Sequence, residues 1–114
     1  MVRKLLVLVT LHLALLGALA QAAERTVEGI VYYKGGEPAK DAAVQLEDRI
    51  TMQIVSRITD RDGHFRFIGL NPDRDYEVRA VKKNYRSTSR SVSRFSSRAV
   101  ENVELYLKPE AHGN

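Results

Sequence analysis

The chain has 114 residues, 44% of them hydrophobic and 28% charged, with a formal net charge of +4 and no cysteine. That length holds one small domain, and the charge density excludes a multi-span membrane protein. Without cysteine there is no disulfide framework, thiolate zinc site, cysteine nucleophile or lipid attached through sulfur.

Residues 1–22 read as a cleavable signal helix. Arg3 and Lys4 form a basic start, Leu5 to Leu16 is apolar apart from Thr10 and His12, and Ala20-Gln21-Ala22 fits the small-x-small rule for cleavage after Ala22. An uncleaved anchor needs about 18 or more apolar residues, which this run lacks. The expected protein is therefore exported to the periplasm or secreted, with no integral span after cleavage. Its mature part holds 34 hydrophobic residues in 92 and a charge of +2. Eight of the twelve leucines leave with the signal, whereas all five isoleucines and nine of the twelve valines stay. Branched side chains suit pleated, half-buried surfaces, so the mature chain reads as all-β.

Val27 to Tyr33 is the first expected strand, ended by Gly35-Gly36-Glu37-Pro38, where Pro38 lacks an amide hydrogen. Ala42, Val44 and Leu46 alternate with Ala43, Gln45 and Glu47, which predicts a second strand with one buried face. Met52 to Thr59 is a third, with Met52, Ile54, Ser56 and Ile58 on one side. Asp60-Arg61-Asp62-Gly63 makes a strong turn. Phe65 and Phe67 then share the face opposite His64 and Arg66. After the turn Leu70-Asn71-Pro72-Asp73-Arg74-Asp75, Tyr76, Val78 and Ala80 line one face of another strand; Val103, Leu105 and Leu107 do so in the last. Short strands without a crossover helix predict an antiparallel seven-stranded Greek-key β-sandwich over 23–108, with a flexible tail at 109–114.

These residues resemble the carboxypeptidase regulatory-like domains of the prealbumin-type (transthyretin-like) β-sandwich, a carbohydrate-binding-like fold. Gly29-Ile30-Val31, Gly36-Glu37-Pro38 and Ala42-Ala43-Val44 are similar to the family's opening pattern, with Asp41 where glycine is usual. Thr59-Asp60-x-Asp62-Gly63-x-Phe65-x-Phe67, then Gly69-Leu70-x-Pro72 and Tyr76-x-Val78, resembles its second half. The likeness covers about Val27 to Leu107. Every matched residue is a turn former or core side chain, so the resemblance implies a scaffold, and function must come from a site.

For catalysis, His64 and His112 are the only histidines beyond the signal, and no nucleophile triad or phosphate loop is present. The transthyretin-like hydroxyisourate hydrolases share the general fold and end in Tyr-Arg-Gly-Ser; this chain ends in Ala111-His112-Gly113-Asn114. No enzyme activity and no cofactor are expected. Asp60, Asp62, Asp73 and Asp75 invite calcium, yet aspartate in a turn is explained by hydrogen bonds to nearby amides. Tyr32, Tyr33, Tyr85 and Tyr106 remain as exposed rings for a carbohydrate-binding alternative.

The segment Arg79 to Arg98 is the least ordinary. It contains Arg79, Lys82, Lys83, Arg86, Arg90, Arg94 and Arg98 and no acidic residue. Even spacing puts Arg86, Arg90, Arg94 and Arg98 on one face of an extended chain with Thr88, Val92 and Ser96, on an edge strand or loop. Such charges discourage sheet-to-sheet aggregation. They also suit an anionic partner. The expectation is a non-catalytic binding or scaffolding module at the cell envelope. Its partner would be an envelope protein, a glycan or another anionic surface component, and not nucleic acid.

Overall fold

A computed structural model describes residues 23–110; the expected signal helix and the last four residues of the tail, with His112, lie outside the described residues. Eight strands and no helix are found among them: β1 (Arg25–Tyr33), β2 (Ala43–Asp48), β3 (Ile54–Ile58), β4 (His64–Leu70), β5 (Tyr76–Lys82), β6 (Tyr85–Ser87), β7 (Arg90–Val92) and β8 (Val100–Pro109). They form one mixed sheet in the order β3-β2-β5-β6-β8-β1-β4, with β7 also paired to β5. The sheet wraps around a single core and is nearly closed, with β3 and β4 at its ends.

Two features depart from the sequence expectation. There are eight strands in place of seven, because a break at Thr88-Ser89 splits the arginine-rich segment into β6 and β7. The sheet is also not wholly antiparallel: β1 and β8 run parallel, from Thr26 beside Val100 to Tyr33 beside Leu107. The cause lies in the connections. β7 runs antiparallel to β5 and delivers the chain to loop 93–99, at the end where β1 begins. There the Thr26 N–H donates to the Ala99 carbonyl at 2.9 Å, and β8 can only set off alongside β1.

Alternation correctly identifies the inward faces. Val27 and Val31, Val44 and Leu46, Phe65 and Phe67, Tyr76 and Val78, Leu105 and Leu107 are all buried. Burying such a side chain contributes roughly 1.5–3 kcal/mol. β3 is the exception: every one of its five residues is exposed.

The motif glycines and turn residues have specific tasks. A Cβ on Gly29 would lie 1.7 Å from the Val103 carbonyl oxygen, so this position permits β1 and β8 to meet. Asp41, standing where the family has glycine, has φ of 59°, a left-handed conformation that aspartate enters more readily than most residues. Buried Thr59 joins two segments: its hydroxyl donates to the Ala39 carbonyl at 2.6 Å and accepts from the Ala42 N–H at 2.9 Å. Both of these backbone groups would otherwise be stranded away from water.

Arg25 opens β1 and is only 2% exposed. Its guanidinium donates to the Ser93 carbonyl at 2.7 Å and to Glu101 at 3.1 Å, and its Nε has no partner among the described residues. Ser96 also donates to Glu101. The N-terminal strand thereby fastens loop 93–99 to the start of β8. A buried charge needs such compensation.

Candidate functional site

The acid-free stretch does not form one cationic face. Arg79, on β5, is taken up by Gln45 at 2.9 Å and Glu47 at 3.6 Å on the outer side of β2. Lys82 donates to the Lys40 carbonyl and lies 5.6 Å from the Tyr33 ring, with Lys83 beside it in the β5–β6 turn at φ 47°. Arg86 pairs with Glu110 at 3.1 Å. β6 lies between β5 and β8, so it is no edge strand. Val92, expected beside the four arginines on an exposed face, is buried. The Thr88-Ser89 break shifts the alternation, so Arg86 lies beside Val81 on one side of the sheet while Arg90 lies beside Val78 on the other.

Arg90, Arg94 and Arg98 remain. All three are exposed, and among the described residues none has a carboxylate within ion-pair distance. Arg94 lies over the Phe95 ring at 4.8 Å, and Phe95 itself is 81% exposed. The Arg94 N–H donates to the Asp75 carboxylate at 2.7 Å, and the Asp75 carbonyl accepts from the Arg49 N–H at 3.0 Å. Asp75 therefore joins loop 93–99 to the β2–β3 loop, which carries exposed Ile50 and Met52. One end of the sandwich thus presents Phe95, Ile50 and Met52 with Arg94 and Arg98, whereas Lys82, Lys83 and Arg86 lie at the opposite end.

The four tyrosines sort into two pairs. Tyr32 and Tyr106 stack across β1 and β8 with centroids 5.3 Å apart and planes 20° apart, on the outer face. The Tyr106 hydroxyl donates to Glu104 at 2.8 Å, and this bond holds the phenol above its usual pKa. Tyr33 and Tyr85 meet edge to face at 5.7 Å, with Tyr33 packed against the core.

Of the turn aspartates, Asp60 acts on its own turn and Asp75 on loop 93–99. Asp60 accepts from the N–H groups of Asp62 and His64, both at 2.9 Å, and Asp75 is engaged as above. No group of three or more metal-ligating side chains gathers among the described residues. A cleft of about 600 Å³ lies at the β3–β4 opening, lined by Glu28, Ile30, Arg57, Asp60, His64 and Arg66. Sequence reasoning missed Arg25 and the ladder Arg49–Glu47–Arg79 across β2 and β5, with Arg49 also 3.6 Å from Glu77. Only alternate charges on neighbouring strands hinted at the ladder, and nothing in the sequence signalled the buried arginine.

This is an all-β module built around one core. The chain belongs to the carboxypeptidase regulatory-like domain family, whose model matches residues 26–108. Among curated proteins, none matches this sequence. Solved structures share the fold. A DUF3823 family protein from Parabacteroides merdae is 20% identical over 78% of this chain and 48% of its own, with a TM-score of 0.57. The major pilin subunit of Bacillus cereus is 20% identical over 76% of this chain and 29% of its own, at 0.56. Catechol 1,2-dioxygenase from Acinetobacter is 10% identical over 78% of this chain and 53% of its own, at 0.57. The chain thus spans about half or less of these three proteins, and at such identity the likeness is one of fold.

Proposed function

We propose that the chain is an exported, non-catalytic β-sandwich module that binds or scaffolds at the cell envelope. It would meet an anionic component through the end that carries Arg94, Phe95 and Arg98, with Arg90 nearby on β7. One observation carries this reading: among the described residues these arginines have no carboxylate partner, and Arg94 lies over a phenylalanine that is 81% exposed, whereas Arg79 and Arg86 are neutralised by neighbours. Cationic groups left open to solvent attract anionic surfaces, and the attraction is screened by salt. The leader-like residues 1–22 support an envelope location. The family and its fold, made of turn and core residues, favour an accessory role over catalysis.

The test compares the protein with an Arg90→Ser/Arg94→Ser/Arg98→Ser variant for binding to anionic phospholipid vesicles at low salt. Binding is expected to weaken tenfold or more, roughly the loss of two or three contacts near 0.5–1 kcal/mol each. A folded variant that binds as tightly as the parent refutes the basic-end reading. A second reading rests on the stacked Tyr32–Tyr106 pair, the outward aromatic surface on which a sugar ring would lie. Glycan binding lost in Tyr32→Ala/Tyr106→Ala, but kept in the arginine variant, would favour it.

A further inference from the structure

The sheet has two end strands, β4 and β3, and β4 is the better shielded. On β4, the His64 N–H donates to the Asp60 carboxylate at 2.9 Å and the His64 carbonyl accepts from the Asp60 N–H at 3.1 Å. Arg66 is paired with Glu28 at 3.4 Å, and Gly69, at φ 69°, bends the end of the strand. Charge and bending of this kind discourage the addition of a further strand.

β3 is less protected. Its sequence, Ile54-Val55-Ser56-Arg57-Ile58, lacks proline, glycine and lysine. Its one charge, on Arg57, lies 5.5 Å from the Phe67 ring centroid and donates to the Ser56 carbonyl at 3.0 Å, a single exposed side-chain bond that an incoming strand N–H can replace. The register fixes which backbone groups are free. Asp48 N–H donates to the Gln53 carbonyl and Thr59 N–H to the Ala42 carbonyl, both at 2.9 Å. In an antiparallel ladder the bonded residues alternate, so Val55 and Arg57 face β2. The N–H and C=O groups of Ile54, Ser56 and Ile58 therefore point away from it; no strand among the described residues pairs with them, and the Ser56 carbonyl accepts only from the Arg57 side chain. The side chains beside them are bare as well: Ile54 is 48%, Val55 43% and Ile58 63% exposed.

We propose that β3 is a self-pairing edge, on which a second copy of this chain adds its own β3, antiparallel, about a two-fold axis at Ser56. The strand's own sequence selects this occupant. One antiparallel register uses all three open residues of both copies, and it sets Ser56 against Ser56 and Ile54 against Ile58 of the other copy. On the other face it sets Val55 against Arg57, so no like charges stand directly opposite. Once Arg57 releases the Ser56 carbonyl in each copy, up to about six ladder hydrogen bonds would join the copies, and the isoleucines would cover one another. The contact is isologous, so it closes as a dimer and does not propagate. It is also small, well under the ~1,000 Å² of a standing interface, so the dimer depends on concentration. This surface is separate from the arginine-bearing end. The serine substitutions at Arg90, Arg94 and Arg98 leave β3 intact, so either idea fails alone.

The experiment is sedimentation analysis of the protein, expressed from its full sequence and purified in the form the cell yields, between ~1 μM and ~1 mM. A monomer–dimer equilibrium is expected. Ser56→Pro removes the central outward N–H but none of the β2–β3 ladder, and Ile58→Lys puts a charge where an isoleucine would cover Ile54 of the other copy. Each is expected to weaken the dimer tenfold or more while the dilute monomer keeps its melting temperature. In a chain without cysteine, Ser56→Cys gives a clean reporter that cross-links on oxidation, whereas Ser89→Cys does not. Monomer throughout the range, a dimer untouched by folded variants, or equal cross-linking at 56 and 89 overturns the proposal. So does a chain that is monomeric alone but captured at β3 by a foreign peptide.

Discussion

Gly29→Ala is the sharpest test of the β1–β8 junction. The new Cβ would lie 1.7 Å from the Val103 carbonyl oxygen, 2.7 Å from its carbon and 3.0 Å from the tip of the Phe65 ring. The ring can swing aside, but the backbone cannot yield cheaply. Restoring even a 3.0 Å contact requires the two strands to part by about 1.3 Å, which stretches ladder bonds beyond the 3.2 Å or so at which they remain effective. Losing two such bonds costs about 1 kcal/mol each, and loosening Val27 and Val31 from Leu105 adds a packing loss of similar size, for about 3–5 kcal/mol in all. In a domain near 90 residues, each kcal/mol moves the melting point by about 4–8 °C, so a fall of roughly 15–30 °C is expected. Differential scanning calorimetry measures it. Gly35→Ala is the control, since nothing lies within 4 Å of its Cβ position. If Gly29→Ala melts within ~5 °C of the parent, or no lower than Gly35→Ala, the close approach argued here is wrong.

Two further expectations concern the polar joints. Thr59→Val strands the buried Ala42 N–H and removes a donor from the Ala39 carbonyl. It should lower stability by about 2–4 kcal/mol, read as a lower urea midpoint at unchanged m-value, while Thr59→Ser stays within ~1 kcal/mol of the parent. Asp48 provides a pH test. Burial alone would raise its pKa, but Arg74, at 2.6 Å, and the N–H groups of Ile50 and Thr51 outweigh that and hold it below the usual carboxylate value. A folded pKa below the unfolded one gives stability that is complete above about pH 4 and lost as pH falls through the depressed folded value. The acid limb of a melting-temperature profile should therefore be shallower in Asp48→Asn, and an unchanged limb would refute the assignment.

The sequence made local structure legible and left most long-range structure hidden. Alternation in Ala42–Leu46, Phe65–Phe67, Tyr76–Ala80 and Val103–Leu107 correctly named the inward faces, because a two-residue period records which side meets the core. It cannot record whether a second layer covers the strand, so β3 reads like its neighbours although both of its faces are bare. The parallel pairing of β1 and β8 joins residues far apart in the chain and follows from where loop 93–99 sets down, which no local pattern encodes. Even arginine spacing suggested one cationic face. A two-residue break at Thr88-Ser89 dispersed it, and Glu110 and Glu47 neutralised part of it from distant strands. Arg25 was invisible for the same reason: the partners that make its burial tolerable lie on loop 93–99 and β8.

The parallel placement of β1 and β8 also has a mechanical consequence. Arg25 stands at one end of the sandwich and Pro109 at the other, on adjoining strands that point the same way. A pull that separates those two points drags the strands lengthwise past each other. The ladder from Thr26–Val100 to Tyr33–Leu107 is then loaded all at once in shear, and its bonds cannot peel apart one by one. With Gly29 seated against Val103 in the middle of that ladder, the strands can slide only if the glycine and the carbonyl first disengage. The sandwich therefore resists tension along this axis far better than across it.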